Sequence, residues 1–369
     1  MTRILFPAVL LFASILHADI PQALRQINSL KPEGQGNEKA SAAWKELVQA
    51  GPDALLPILS ATGQGGVVAD NWLRLAANTI ADHAAKQNKT LPLQDLEKFL
   101  RDTTHDPAGR QVAFDLIHAS DPAKADEIEP ELLNDPSQEL RRGAVQKLIA
   151  SGKAALAKKD EMNAKLIFHQ ALDASRDEDQ VKVIASSLEG LGEKVDLPRH
   201  FGFLMKWQVI GPFDNTKRSG FDTVFPPEKE INLTASYPGK TGQVKWQPFE
   251  STQDYGKIDF NKPFGLLKEV TAYATTTFDS ATERDAEIRL GCKDGWKLWL
   301  NGQLVFGRDE YHRGQKMDQY KLKCHLKQGP NVLLMKCCQN EQTENWTVEW
   351  EFQLRICDAT GTAILAFAK

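Results

Sequence analysis

The sequence contains little that points to a particular chemistry. Neither sign of charge dominates, because 45 Lys and Arg stand against 49 Asp and Glu, for a formal net charge of −4. Proteins that mainly bind nucleic acid usually carry a clear basic excess, so we expect no nucleic-acid partner. The 41% hydrophobic and 25% charged residues are ordinary globular values and exclude a disordered chain or a coiled-coil rod.

Catalytic motifs are also absent from the sequence. It has no glycine-rich phosphate loop, no H-E-x-x-H and no G-x-S-x-G nucleophile elbow. Paired carboxylates of the glycosidase type meet only in space and leave no local pattern. We therefore expect a protein that is not an enzyme and needs no cofactor.

Cysteine is scarce: there are five in 369 residues, and none precedes Cys292. Their spacing matches no zinc site, since C-x2-C is absent and no H-x3-H lies nearby. Three interpretations remain open: buried thiols that act as small apolar residues, one structural disulfide, and a metal-binding or catalytic thiol.

Long apolar runs are missing except at the start. Arg3 precedes 13 mostly apolar residues, 4–16, and Ala18 offers a small residue at a cleavage point. This layout is typical of a secretory signal peptide, and the run is too short to span about 30 Å of hydrocarbon. We expect a signal peptide over residues 1–18, a secreted or periplasmic protein, and no membrane span in the mature chain.

Residues 19–195 have a helical pattern that repeats. The repeated positions are Leu59, Leu100 and Leu133, and Ala76, Ala113 and Ala144. The leucines recur at 41 and 33 residues and the alanines at 37 and 31, and periods of this size indicate stacked helical hairpins. Asp106-Pro107 and Asp135-Pro136 each fit a helix cap followed by proline at the first helical position.

The segment 129–148, with its Asp-Pro turn and Leu-Arg-Arg-x-Ala core, resembles a HEAT repeat. Residues 154–190 are closer to a tetratricopeptide unit. The resemblance implies an all-α helical-repeat solenoid over residues 19–195, and repeats of this family usually bind proteins.

The pattern changes to strict alternation after residue 198. Apolar residues alternate along 346–356 and 320–326, which predicts strands, and Asn301-Gly302 predicts a type I′ hairpin. Several short strands with Gly and Pro turns predict a β-sandwich.

Three stretches, 207–213, 293–302 and 313–336, resemble the galactose-binding-like jelly-roll module of secreted bacterial proteins. The resemblance implies an all-β jelly-roll sandwich over residues 200–369, hence a multidomain chain. Relatives with structural calcium cluster carboxylates near such turns. Only Asp294 remains here, so we expect no metal.

The longest polar insertion in this half is the candidate ligand site. Sugar binding needs a flat ring and side chains that hydrogen-bond to hydroxyls, and such residues concentrate on loops held by a rigid scaffold. The candidate ligand-binding residues are Arg308, Asp309, Tyr311, His312 and Arg313.

The competing interpretation of this insertion is a solvated loop tied by an Arg313–Asp318 ion pair. We expect an exported, non-catalytic binding or scaffold protein. Its helical repeats would contact proteins, and its sandwich would bind a glycan weakly or serve for packing. The alternative is an accessory subunit of a polysaccharide-degrading enzyme system.

Overall fold

The computed structural model describes residues 19–367. The predicted signal peptide, 1–18, lies outside the described residues. By its internal contacts the chain divides into two compact units, Met1–Leu148 and Ile149–Lys369. Within residues 19–367, no helix is long and apolar enough to cross a membrane.

The first unit is helical. Its helices are α1 Ile20–Asn28, α2 Asn37–Ala50, α3 Leu55–Ser60, α4 Gly66–Lys86, α5 Leu93–Arg101, α6 Pro107–Ser120, α7 Pro122–Ile128 and the first part of α8 Gln138–Ala157. The leucines and alanines that repeat along the sequence are buried here, with Leu133, at 8%, the most exposed of the six. The helical class of this part is therefore confirmed, and the solenoid stays a prediction.

The two predicted Asp-Pro caps differ. Asp106 caps α6 as expected, because its side chain accepts a hydrogen bond from the Ala108 N–H at 2.8 Å and Pro107 opens the helix. Asp135 lies in the turn before α8, which begins only at Gln138, so the expected proline at the first helical position was wrong. Asp135 instead forms a buried ion pair with Arg110 at 2.5 Å.

The second unit begins with the rest of α8 and continues through α9 Glu161–Ala174, α10 Glu178–Gly190 and α11 Leu197–Phe201 before its first strand. Val181 of α10 packs in one cluster with Phe201 and Phe203. The change from helix to strand, between 201 and 206, falls close to the division predicted at 195–200. The compact units divide elsewhere, within α8.

Antiparallel strands, with two short helices, α12 Pro226–Lys229 and α13 Asn261–Phe264, form most of the rest of the second unit. The strands are β1 Lys206–Asp214, β2 Ser236–Pro238, β3 Gln243–Lys245, β4 Gln247–Glu250, β5 Lys257–Asp259, β6 Val270–Ser280, β7 Arg284–Cys292, β8 Gly295–Leu300, β9 Gln303–Arg308, β10 Tyr320–Leu326, β11 Gly329–Gln339 and β12 Glu351–Cys357. One sheet has the order β4-β1-β6-β11-β8-β9 and the other β10-β7-β12-β5, while β2 and β3 form a hairpin. Apolar residues of both large sheets, such as Leu298, Met335 and Leu354, share one core. This arrangement is sandwich-like, and the jelly-roll topology stays a prediction.

Two local predictions are confirmed in this unit. β10 has the predicted bounds and alternates in exposure along its length. Asn301 and Gly302 have φ of 53° and 79°, as a type I′ turn between β8 and β9 requires.

The predicted strand over 346–356 was partly wrong. β12 begins at Glu351, and Trp346 lies in a short 3-10 turn, Asn345–Thr347. The side of β12 expected to face solvent is also buried, with Gln353 4% and Arg355 1% exposed, because the chain covers both faces of this strand.

All five cysteines have free thiols, and four of them are buried. The sulfur atoms of Cys292 and Cys337 lie 3.7 Å apart in the core. The structure therefore shows buried small residues in place of a structural disulfide.

Candidate functional site

Several strands end together at one rim of the sandwich. Gly295, which opens β8, lies opposite Cys338 near the end of β11, and Trp296 lies opposite Arg308, which ends β9. Tyr320 at the start of β10 lies opposite Leu290 near the end of β7. The β7–β8 turn, the loop 309–319 and the segment 340–350 therefore meet at this end, which we call the rim.

A buried charge network fixes the far end of the loop. The Asp318 carboxylate accepts hydrogen bonds from Arg355 at 2.7 and 2.6 Å and from Arg289 at 2.8 Å. Burial alone would raise the pKa of Asp318, but the two guanidinium groups outweigh it and lower the pKa. The expected Arg313–Asp318 ion pair was wrong, because Arg313 pairs with Glu310 at 3.2 Å.

Beneath the loop lies a buried carboxyl–imidazole pair. Asp294 is 1% exposed, and His312 Nδ1 stands 3.7 Å from its Oδ1. Among the described residues, no group meets hydrogen-bond geometry at either Asp294 oxygen or either His312 ring nitrogen, although the Asn340 side chain is close enough to His312 to act on its pKa. Burial raises the pKa of Asp294 well above its usual range and lowers the pKa of His312. Both effects favour the neutral forms.

The backbone supports this placement of His312. The residue has a φ of 60°, which is uncommon for a side chain other than glycine, Asn or Asp. Such a conformation persists only where its surroundings fix it, and it is frequent at functional sites. The left-handed turn places the imidazole under the loop, although its neighbour Tyr311 is half-buried at the rim.

Tyr311 is held by contacts on two sides. Its hydroxyl accepts a hydrogen bond from Asn215 Nδ2 at 3.4 Å, and the Arg218 guanidinium lies 5.0 Å from its ring centroid. A Cβ on Gly295 would come within 3.3 Å of this hydroxyl, so glycine allows the close approach. One ring face is therefore covered by Arg218, which pairs with Glu341 at 2.6 Å.

The predicted site residues fall into three groups. Arg308, the last residue of β9, pairs with Glu310 at 2.9 Å, as Arg313 does at 3.2 Å, so the two guanidinium groups meet at one carboxylate. Asp309 is exposed and lies close to Tyr311 above Gly295. The side chain of His312 is 6% exposed, and its ring centroid lies 6.3 Å from that of Tyr311. The role of the five as ligand residues stays a prediction.

Sequence reasoning missed Trp346 as a surface residue. The residue is 56% exposed, and its ring stands edge-on to His312, with ring centroids 5.0 Å apart. Its carbonyl accepts a hydrogen bond from Lys293, whose ammonium also bonds Glu349 at 2.7 Å. The apolar alternation along 346–356 placed this Trp inside a strand, so no local signal distinguished it.

The described residues contain no group of three His, Cys, Asp or Glu side chains able to hold a metal. The polar atoms of Asp294 and His312 suit a hydroxyl group better, because the pair offers one acid proton and two imidazole nitrogens.

Comparison with known proteins adds little to this geometry. No family model matches the sequence, and no curated protein is similar to it.

Two similar solved structures are a β-glucuronidase of Faecalibacterium prausnitzii and a GH31 α-xylosidase of Xanthomonas citri. The first is 14% identical over 43% of this chain and 32% of its own, with a TM-score of 0.25. The second is 8% identical over 41% of this chain and 16% of its own, with a TM-score of 0.20. A β-glucosidase of Kluyveromyces marxianus is 9% identical over 77% of this chain and 35% of its own, with a TM-score of 0.26. The chain thus spans about a third or less of these neighbours, and similarity at this level carries no argument about function.

Proposed function

We propose that the sandwich binds a glycan at its rim, and that the protein is an exported binding or scaffold protein without catalytic activity. The observation that supports this most is the partnerless Asp294–His312 pair. A buried polar group without a partner costs about 1–3 kcal/mol, and here four such atoms lie together. Sites of this kind are retained where a ligand supplies the missing hydrogen bonds.

The surroundings of the pair fit a sugar. Trp346 is exposed and offers a ring for stacking on C–H groups, and Arg313 is exposed on the loop. In this proposal a ligand hydroxyl enters between Trp346 and the loop, accepts from protonated Asp294 and donates to neutral His312. Charges on the loop are mixed and largely paired, so a neutral or mildly acidic sugar fits better than a polyanion.

The same geometry favours binding over hydrolysis. Glycosidases use two carboxyl groups about 5–9.5 Å apart, one of them free to attack or to activate water. The carboxylates whose charges act on Asp294 are Glu349 and Glu351. Glu349 pairs with Lys293 at 2.7 Å, and Glu351 pairs with Lys257 at 2.5 Å. These two carboxylates are therefore committed to lysines, and the exposed Asp309 above Gly295 is the remaining carboxylate at the rim.

The first unit supports a protein contact. Val67 is 77%, Val68 50% and Leu75 53% exposed, and their spacing of seven and eight residues places them on one face of α4. An exposed apolar stripe on a helix fits the expected role of the helical part as an arm that binds a protein.

The test is a glycan array probed with the full-length chain. A variant with Tyr311→Ala and Arg313→Ala should lose the binding that the wild type shows. A control variant, Arg284→Ala with Phe367→Ala, removes one arginine and one aromatic ring elsewhere and should bind normally. Melting curves must show that all three proteins fold. Binding that survives the rim substitutions would place the site elsewhere, and a wild type that binds no glycan would contradict the proposal.

A further inference from the structure

A second cleft lies on the other side of the loop, within the Ile149–Lys369 unit. It has a volume of about 720 Å³ and is bounded by the start of α10, the β4–β5 connection and loop residues 315–317. Pockets of about 300–1,000 Å³ are the usual size for small-molecule ligands. We call it the amide cleft, after Gln253, Gln315 and Gln353 in its wall.

The amide cleft contains the second concentration of partnerless polar atoms in this unit. Within the described residues, no group hydrogen-bonds to the Tyr255 hydroxyl or to the oxygen or nitrogen of the Gln315 amide. Tyr255 and Gln315 both line the cleft and are half-buried as residues, although these polar atoms are themselves covered. Buried unsatisfied groups are few in native proteins, and each requires an explanation.

The remaining wall is polar and largely charge-neutral. Lys182 pairs with Glu178 at 2.6 Å, and Lys257 pairs with Glu351 at 2.5 Å. In the orientation that satisfies both of its polar atoms, the Gln353 side-chain amide donates a hydrogen bond to the Tyr255 carbonyl at 3.1 Å. It accepts one from the Met317 N–H at 3.2 Å. Gln353 thus fixes both sides of the cleft and leaves the ligand contacts to Tyr255 and Gln315.

We propose that the amide cleft binds a further unit of a neutral, polyhydroxylated chain, so that the ligand is an oligosaccharide that contacts the protein on both sides of the loop. This inference rests on the proposed glycan binding at the rim. A hydroxyl donor and an amide that both donates and accepts match sugar hydroxyls. The wall also contains Asp254 and Lys316, so its charges balance, which disfavours an ionic ligand. His312 and Gln315 are three residues apart, hence within about 11 Å along the chain, so one ligand of a few units reaches both.

The experiment uses the full-length chain and two variants of the cleft, Tyr255→Phe and Gln315→Met. Both remove partnerless polar atoms and keep the volume, so a purely structural role predicts unchanged or higher melting temperatures and unchanged binding. The proposal predicts that affinity for a tetra- or hexasaccharide of the array-positive glycan falls about tenfold, while affinity for the disaccharide is unchanged. Tyr237→Phe serves as the matched control.

Equal affinity of wild type and cleft variants for the longer chain would overturn the proposal. It would also be overturned if wild-type affinity did not rise with chain length. If the rim variant loses binding and the cleft variants do not, the rim proposal stands and the cleft proposal fails. If the wild type binds no glycan of any length, both fail.

Discussion

At the scale of single residues, Asp294 gives the clearest pH signature. Its pKa is raised in the folded protein, chiefly by burial. Above about pH 4 the unfolded chain releases this proton and the folded chain keeps it, so the free energy of unfolding falls as pH rises toward the folded pKa.

We predict that Asp294→Asn removes this fall. Wild type and variant should have similar urea midpoints near pH 4, and the variant should be the more stable at pH 7. Wild type and variant share all other titratable groups, so the difference between their free energies of unfolding reports on Asp294 alone. A wild type that gains stability relative to Asp294→Asn between pH 4 and pH 7 would show that Asp294 is ionised and paired.

His200 predicts the opposite dependence. Burial, with a contribution from Arg176, lowers its pKa from 6.5 to about 4. Stability that depends on neutral His200 is complete above pH 6.5 and is lost as pH falls toward 4. His200→Gln should weaken the acid sensitivity of the isolated second unit over this window, as followed by thermal melting.

In the helical unit, Ala144 tests the packing of α8. It is 3% exposed, and its place in the repeat predicts a helix–helix contact. Ala144→Leu should overpack the site and cost about 1–3 kcal/mol of unfolding free energy in urea titrations. An unchanged midpoint would mean that the site accommodates the larger side chain.

At the scale of elements, the loop 309–319 depends on its anchor. Asp318→Asn leaves Arg289 and Arg355 buried with a neutral partner, and breaking a buried pair costs about 3–5 kcal/mol. We expect a large loss of stability and faster hydrogen exchange in the loop. Arg313→Ala, which removes the partner expected from sequence, should change stability little because its ion pair with Glu310 is exposed.

This contrast shows what the sequence could predict about elements. Alternation and the Asn-Gly turn identified β10 and the β8–β9 hairpin because these signals are local. The partners of Asp318 come from β7 and β12, which are far away in the chain. Trp346 was assigned to a strand because the turn at this position contains no Gly or Pro that would mark it, and the apolar alternation runs through it. The location of the candidate loop was predictable, but the buried pair beneath it depends on long-range packing.

At the scale of the whole molecule, the division of the chain is testable. The sequence places the boundary at 195–200, whereas contacts place it after Leu148. Since Val181 packs with Phe201 and Phe203, a fragment over residues 149–369 should melt cooperatively, and one over 200–369 should melt lower or not cooperatively. Equal melting of the two fragments would favour the boundary predicted from sequence.

The central claim is that the rim of the sandwich binds a glycan. Calorimetric titration of the full-length chain with the strongest array glycan tests it most directly, using Trp346→Ala against Phe367→Ala, two exposed aromatic residues of which only Trp346 lies at the rim. An aromatic contact is worth about 0.5–1.5 kcal/mol, so Trp346→Ala should lower affinity roughly two- to tenfold while Phe367→Ala leaves it unchanged. Equal affinity of wild type and Trp346→Ala would contradict the account.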